Sequence, residues 1–251
     1  MSGKEESSVR VGLVVPSSNV TIERELPAIL GGVSGHQFSF HSSRVSMNSV
    51  SLDGLRAMNV QRERAVEELL DASVDVLLYG CLIAVMSEGP GAHVEVEAAI
   101  REQAAKRDAR VEVLSSAGAL VTALRIMEAR RIALVMPYVD SLARLTVKYL
   151  EEEGFEVGGW TALGESDNRR VGCIPNAVVA QAARELDLTG VDVLVLSACV
   201  QMPSLHIVQS MEDEFGVATI SAATATARCI LDAVGASAPE FNAGRLLGEG
   251  P

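Results

Sequence analysis

The chain has 251 residues, of which 48% are hydrophobic and 4% aromatic, so it is long enough for one large domain or two small ones. Its 21 basic and 33 acidic residues give a formal net charge of −12, which argues against nucleic acid and anionic membrane surfaces as partners. Residues 1–8 are polar, and no apolar run reaches the ~20 residues of a membrane helix. We therefore expect a cytoplasmic protein.

In the first half of the chain, strands and helices alternate. The first strand is predicted at residues 9–15, and Asn19 or Thr21 after it can cap the following helix, which runs to residue 30. Further strands are predicted at residues 36–45, 74–81 and 110–114. Helices are predicted at residues 51–72, 93–106 and 116–129, with a loop between residue 81 and the second of them.

The pattern then starts again. Arg131-Ile-Ala-Leu-Val-Met-Pro137 resembles Arg10-Val-Gly-Leu-Val-Val-Pro16 at a shift of 121 residues (131 − 10), and a Val-Asp-Val-Leu strand ending on a cysteine recurs at a shift of 118 (199 − 81). Strands are predicted at residues 131–137, 155–163, 191–199 and 217–220. Helices are predicted at residues 140–153, 175–186, 203–215 and 221–234. Matching segments in the same order indicate a duplicated domain.

Alternating strands and helices are the signature of a parallel α/β architecture. The sequence predicts two pseudosymmetric doubly wound α/β domains, each with a four-stranded parallel sheet, and an active site in the cleft between them. We expect the first half to span residues 1–116 and the second 117–221. A C-terminal helix over residues 222–251 is expected to pack back on the first half.

Two of the four cysteines occupy equivalent positions at strand ends, where open α/β sheets bind their ligands. These are Cys81 and Cys199, and backbone N–H groups there can favour a reactive thiolate. Cys229 lies in an apolar helix and is predicted to be a core residue, and Cys173 is predicted to be structural. No metal-like Cys-x-x-Cys spacing is present, and no Gly-rich phosphate loop follows the first strand. The sequence therefore predicts free thiols and neither a metal nor a cofactor.

Three neutral hydrogen-bond donors are predicted near the two thiols. Asn19 follows the first strand of its half, Tyr138 follows the equivalent strand of the other half, and Asn168 follows the second strand there. Each has an ordinary structural explanation as a helix cap, a half-buried aromatic or a turn residue. Together they form a ring of donors suited to a carboxylate. Val85, Met86 and Met202 are expected to exclude water from this site.

These segments resemble the maleate cis–trans isomerases of the aspartate/glutamate racemase superfamily, over nearly the whole chain. The matching motifs are Val-Gly-Leu-Val-Val-Pro-Ser-Ser-Asn ending at Asn19, Tyr-Gly-Cys-Leu-Ile-Ala-Val-Met from Tyr79, Val-Met-Pro-Tyr ending at Tyr138, Asp-Asn ending at Asn168 with Val-Gly-Cys-Ile-Pro from Val171, and Ser-Ala-Cys-Val-Gln-Met-Pro-Ser-Leu from Ser197. Amino-acid racemases carry a threonine after each cysteine, where this chain has Leu82 and Val200. Arylmalonate decarboxylases share the fold but use one cysteine.

The resemblance implies cofactor-independent conversion of maleate to fumarate by a homodimer. Cys81 would add to the double bond as the nucleophile and form a succinyl-cysteine, and Cys199 would donate a proton to the adjacent carbon and take it back. The resemblance also implies which groups bind the dicarboxylate. They are the side chains of Asn19, Tyr138 and Asn168 and the backbone N–H groups of Leu82, Ile83, Val200 and Gln201.

Three alternatives remain open at this point. One is a racemase or decarboxylase of the same superfamily that acts on another small diacid. Another is a non-catalytic diacid-binding protein, which would bind without turnover and tolerate loss of Cys199. The third is a redox protein with a disulfide between Cys81 and Cys199, which would require dithiol exchange activity.

Overall fold

A computed structural model describes residues 7–47, 50–239 and 242–248. Its first sheet is parallel throughout, with the strand order β2-β1-β3-β4. These strands are β1 (Ser7–Pro16), β2 (His36–Val45), β3 (Val76–Tyr79) and β4 (Glu112–Ser115). The two inner strands, β1 and β3, are buried over the length in which they pair with each other, which explains their continuous apolar runs.

The second sheet repeats this topology, with the order β6-β5-β7-β8 and parallel pairing throughout. Its strands are β5 (Arg131–Met136), β6 (Glu156–Ala162), β7 (Val193–Ser197) and β8 (Ala218–Ser221). The predicted fold class, two α/β halves with four-stranded parallel sheets, is confirmed.

Helices connect the strands in both halves. In the first half they are α1 (Ile22–Leu30), α2 (Leu52–Asn59), α3 (Arg62–Asp71), α4 (Leu82–Met86), α5 (Ala92–Ala105) and α6 (Ser116–Ile126). Those after β5 are α7 (Asp140–Glu152), α8 (Asn168–Val171), α9 (Asn176–Arg184), α10 (Leu205–Phe215) and α11 (Ala222–Val234). α6 and α11 begin alike, because Ser115 and Ser221 cap them with side-chain hydrogen bonds.

The aspartate of the repeated Val-Asp-Val motif has the same role in each half. Asp75 accepts a hydrogen bond from the backbone N–H of Arg10, at 2.7 Å. Asp192 accepts one from the backbone N–H of Arg131, at 2.8 Å. Each carboxylate therefore fixes the start of the first strand of its half against the strand that leads to the cysteine, which accounts for the repetition of a charged residue in an apolar segment.

Three predicted segments differ from the structure. The helix expected at residues 51–72 is divided into α2 and α3, because the Gln61 side chain binds the backbone of Ser46. Its Oε1 accepts the N–H of Ser46 at 2.9 Å, and its Nε2 donates to the carbonyl of Ser46 at 3.0 Å. The loop expected after Cys81 contains α4, whose five residues are all buried and show no amphipathic pattern. The one-turn helix α8, capped by Asp167, was not expected either.

The last helix agrees with the one predicted at residues 221–234 and is shorter than the helix of residues 222–251 that was expected to pack on the first half. α11 ends at Val234, where Gly235 adopts a left-handed conformation with φ of 65°. The described residues after it, 236–239 and 242–248, contain no helix of the α type, so the helix expected to extend over 222–251 is wrong there. Residues 240, 241 and 249–251 of that prediction lie outside the described residues.

The apolar core extends through both halves. α11 packs against α6 and α1, and α4 packs against α7 of the other half. A second cluster of buried side chains fills the face of the second sheet that α9 and α10 cover. This packing leaves the carboxyl ends of the inner strands facing one another across a cleft. The exact division of the chain into residues 1–116 and 117–221 stays a prediction.

In the part of the chain that the structure describes, no helix combines the length and the hydrophobicity that a membrane span requires.

Candidate active site

Cys81 lies at the carboxyl end of the inner strand of the first sheet. Gly80 precedes it, and the backbone N–H of Gly80 donates to the carbonyl of Val14 on β1, at 2.8 Å. α4 begins at the residue after Cys81. The sulfur therefore lies at the N-terminus of a short buried helix, with the backbone N–H of Ala84 as its hydrogen-bond donor, and the residue is 6% exposed.

Cys199 occupies the equivalent place in the second half, but its loop is built differently. The hydroxyl of Ser197, the last residue of β7, donates to the carbonyls of Cys199 and Met202, at 2.8 and 3.2 Å. The turn that results directs the backbone N–H groups of Gln201 and Met202 toward the sulfur, and the hydroxyl of Tyr138, from the loop after β5, also faces it. Cys199 is half-buried.

Burial dominates the protonation of both thiols. It raises the pKa of Cys81 to about 12, although the N–H of Ala84 acts in the opposite direction, and the nearby Cys199 adds to the rise. Burial also raises the pKa of Cys199, against the donors of its turn. The expected backbone donors are thus present and favour the thiolate, but desolvation of a charged sulfur outweighs them, so the pKa of each thiol lies above its usual value.

Asn19 has two separate roles for its two amide atoms. Its Oδ1 accepts the backbone N–H groups of Thr21 and Ile22, at 2.9 and 3.2 Å, so Asn19 is the side chain that caps α1. Its Nδ2 is buried and has no hydrogen-bond partner among the residues that the structure describes. An unpaired buried donor is costly, and this one belongs to a residue that lines the cavity beside the thiols.

Tyr138 and Asn168 are also at the site, and both are already hydrogen-bonded to the protein. The Tyr138 hydroxyl donates to the carbonyl of Ala198, at 3.0 Å. The Asn168 amide donates to the hydroxyl of Ser18 in the other half. Gln201 completes a polar link between the halves, since its amide donates to the carbonyls of Asn168 and Ser18. A ligand carboxylate would have to replace Ala198 and Ser18 as acceptors.

All the residues predicted for the site line one cavity between the halves. They are Asn19, Cys81, Leu82, Ile83, Tyr138, Asn168, Cys199, Val200 and Gln201. The space enclosed is about 20 Å³, close to what one water molecule needs, so a diacid requires the cavity to widen.

The apolar part of this lining was not predicted. It comes from Met47, Val50 and Val171, which lie in loops or in a one-turn helix with no periodic pattern. Val85, Met86 and Met202, expected to shield the site, are buried but lie behind its lining.

The other two cysteines lie away from the cavity. Cys229 is buried, and its sulfur faces the carbonyl of Ala119 on α6 at 3.8 Å, as expected of a core residue. Cys173 is exposed. Over residues 7–47, 50–239 and 242–248, no three His, Cys, Asp or Glu side chains are grouped closely enough to hold a metal ion.

One cysteine from each of two similar α/β halves, facing a shared closed cavity, defines a two-thiol enzyme of the aspartate/glutamate racemase type. The sequence model of the arylmalonate decarboxylase family matches residues 11–247. Two solved structures of arylmalonate decarboxylase, at 19% and 21% identity, have TM-scores of 0.75 and 0.78, which shows that the fold is shared.

Curated relatives narrow the assignment. A maleate isomerase from Nocardia farcinica is 55% identical over 238 residues, which are 95% of both chains. One from Pseudomonas putida is 45% identical over 95% of this chain and 96% of its own. The chain belongs to the maleate isomerase family.

Solved structures agree with this assignment. A cysteine-to-serine variant of the Nocardia farcinica maleate cis–trans isomerase, which carries a covalently bound succinylcysteine intermediate, has a TM-score of 0.94 at 54% identity, over 96% of this chain and 98% of that one. The Pseudomonas putida S16 isomerase with maleate, also a cysteine variant, has the same TM-score at 39% identity and the same coverage. The family resemblance inferred from the sequence motifs is confirmed.

Proposed function

We propose that this protein converts maleate to fumarate through a covalent adduct on Cys81. The observation that carries the proposal is the pair of thiols, one from each half, on a single cavity lined by neutral donors. The related enzyme whose structure holds a succinylcysteine intermediate is a variant that lacks one cysteine. Such trapping is expected where one cysteine forms the adduct and another is needed to resolve it.

The reaction begins when the Cys81 thiolate attacks one carbon of the double bond. The π electrons move toward the carboxylate on the other carbon, giving an enediolate-like species, and Cys199 donates its proton to that carbon. The product is a succinyl-cysteine with a single central bond, and the negative charge has passed from Cys81 to Cys199. After rotation about this bond, Cys199 removes a proton from the same carbon, the C–S bond breaks, and fumarate leaves.

Neutral donors stabilise this reaction without a basic residue. The free Nδ2 of Asn19 is available to one carboxylate without breaking a contact. Tyr138 and Asn168 join it by exchanging their protein acceptors for the second carboxylate, and the backbone N–H groups of Leu82, Ile83, Val200 and Gln201 complete the site. Donors aimed at developing charge are worth roughly 3 kcal/mol each by analogy with oxyanion holes.

The test is proton NMR of the purified, reduced protein with maleate and no added cofactor. We expect the vinyl signal of maleate to be replaced by that of fumarate, and the Cys81→Ser variant to leave it unchanged. An unchanged maleate signal with folded wild-type protein would overturn the proposal. Turnover of an amino acid or another diacid in its place would then support a racemase or decarboxylase.

We also propose that the protein acts as a cytoplasmic homodimer that uses no cofactor. The four free thiols suit a reducing compartment, and exposed apolar side chains such as Val60 and Val94 are available to an interface. Light scattering of the eluted protein would test the dimer, and a monomer at micromolar concentration would contradict it.

A further inference from the structure

Glu25 is a buried carboxylate that joins the two halves next to the cleft. It lies on α1, is 4% exposed, and stands among apolar residues on the inward face of that helix. Its Oε1 accepts the backbone N–H groups of Ser204 and Leu205, at 2.9 and 3.1 Å. These groups are at the N-terminus of α10, where an anion is favoured because backbone N–H groups and the helix dipole both face it.

These hydrogen bonds hold the far end of the loop that carries Cys199. The loop begins at the last residue of β7, passes through the turn after Cys199, and ends at Ser204. Ser197 fixes its near end through the carbonyls of Cys199 and Met202. Glu25 thus determines, from the opposite half, where this loop enters α10.

On the Cys81 side, no described carboxylate accepts a backbone N–H at the start of the following helix, although Glu153 of the second half lies 3.7 Å from the imidazole of His93. The N-terminus of α5, the helix that follows Cys81 and α4, receives a neutral group from α7: the backbone N–H of His93 donates to the Tyr149 hydroxyl at 3.2 Å. The shift of 121 residues that relates β1 to β5 makes Thr146 the residue equivalent to Glu25 (25 + 121). The hydroxyl of Thr146 donates to the backbone carbonyl of Leu142 within α7. The two sides therefore differ in the group that accepts the backbone N–H groups of the following helix: a carboxylate on the Cys199 side and a hydroxyl on the Cys81 side.

We propose that Glu25 is a positioning residue that holds the Cys199 loop in place and, through its charge, keeps the proton on Cys199 so that Cys81 is the thiol that ionises. This inference rests on the proposed function, which needs a nucleophile and a proton donor in one cavity. Both thiols are protonated at rest, and once one of them loses its proton the other keeps its own; a fixed negative charge at the end of the Cys199 loop then favours ionisation of Cys81.

Burial is the largest cause of the raised pKa at both thiols, and the charge of Glu25 is a smaller contribution at Cys199. Glu25, Tyr138 and Cys81 are the titratable groups that face Cys199, and the charge of Glu25 adds to the rise in the pKa of that thiol. Burial raises the pKa of Glu25 itself, while the two N–H groups of α10, Arg24 and His206 favour its ionised form.

The test uses the Cys81→Ser variant as the parent. It measures the rate at which iodoacetamide alkylates Cys199 as a function of pH, by mass spectrometry of the peptide that contains Cys199. We expect Glu25→Gln, which keeps an acceptor oxygen but removes the charge, to shift the profile to lower pH by about one unit. Glu25→Asp keeps the charge and should leave the profile near that of the parent. In the otherwise wild-type enzyme, Glu25→Gln should lower kcat about tenfold with little change in KM.

Glu212→Gln is the matched control. Glu212 is also buried, lies on the same helix α10, and accepts the backbone N–H of Thr219 at 2.9 Å, so its loss of charge should cost similar stability without moving the Cys199 profile. The proposal is overturned if Glu25→Gln leaves the profile in place, or if Glu25→Asp shifts it equally far. Should Glu25→Gln fail to fold, a shift in the folded Glu25→Asp variant alone overturns it. The alkylation profile is independent of maleate turnover, so the failure of the proposed reaction would be seen separately.

Discussion

The loops that carry Cys81 and Cys199 follow equivalent strands, yet they present their sulfurs in different ways. After Cys81 the chain enters the buried helix α4 at once, and a single backbone N–H, from Ala84, serves the sulfur. After Cys199 a turn stabilised by the Ser197 hydroxyl brings two N–H groups to the sulfur, and the Tyr138 hydroxyl faces it from the loop after β5. Equivalent positions in a duplicated fold thus provide two chemically distinct thiols.

This difference bears on the roles proposed for the two cysteines. A nucleophile must lose its proton, and a general acid must keep one. The donors around Cys199 alone would favour its thiolate. Burial acts against them, and the carboxylate of Glu25, which reaches from α1 of the opposite half, adds a smaller contribution in the same direction. The role of each thiol therefore depends on contacts made by the opposite half as well as by its own loop.

The largest expected effect comes from exchanging either sulfur for oxygen. Cys81→Ser should lower turnover by at least about 10⁴-fold, because the covalent route is lost. Cys199→Ser should lower it about 10²–10⁴-fold and leave a succinyl group on Cys81, visible as a mass increase of one maleate. Both variants should melt close to the wild-type temperature. Equal activity in the two variants would remove the distinction between the loops.

Asn19→Asp separates the two roles of the asparagine. The carboxylate keeps an oxygen for the N–H groups of Thr21 and Ile22, so stability should change little, while loss of the Nδ2 donor should lower turnover about 10²–10³-fold. Asn19→Ala also removes the cap and should cost about 1 kcal/mol of folding free energy. Activity that survives in Asn19→Asp would show that Nδ2 does not bind substrate.

The pH dependence of Cys81 provides a test of the loops in the resting enzyme. Because the pKa of Cys81 is raised to about 12 by burial, its thiolate fraction rises with pH throughout the range in which the protein is folded. Alkylation of Cys81 should therefore accelerate about tenfold per pH unit, with no plateau below pH about 10. A plateau near neutral pH, measured by peptide mass spectrometry, would mean that the sulfur is more solvated than the structure indicates.

Tyr138→Phe tests the donor that is specific to the Cys199 side. The change removes the hydroxyl that bonds Ala198 and faces the sulfur, and we expect about a tenfold loss of turnover. A stability loss of about 1 kcal/mol should accompany it, since the Ala198 carbonyl loses its buried partner. Unchanged kinetics would restrict Tyr138 to a structural role.

The smallest effects are expected outside the cleft. Cys173→Ser changes an exposed residue and Cys229→Ala a core residue, and turnover should stay within about twofold of wild type for both. They are controls for the paired thiols, and a large loss in either would show that the site extends beyond the described cavity.

Much of the fold was predictable because it depends on local patterns. Buried strands, such as the segment around Val76, show continuous apolar runs, and Ser115 and Ser221 recur before equivalent helices. The helix break at Gln61 was not predictable, because it depends on a hydrogen bond to Ser46, whose position follows only from the packed fold.

The predicted site residues meet in one cavity because parallel strands bring their carboxyl ends to one edge. Their roles in the reaction stay proposals. The missing component was Glu25, and its signal was present in the sequence: a glutamate on the apolar face of α1, between Ile22 and Leu26. A sequence can show that such a charge is out of place on a helix, but not that its partners lie 179 and 180 residues away.

The joining of both halves in one polypeptide has a consequence for how such a site can change under mutation. In a dimer of identical chains with the thiols on its two-fold axis, every substitution near one sulfur would also occur near the other. Here Glu25 and Thr146 are encoded separately, so one sulfur can acquire a charged neighbour while the other does not. Duplication followed by fusion therefore allows mutations to give two thiols that began with the same acidity different pKa values.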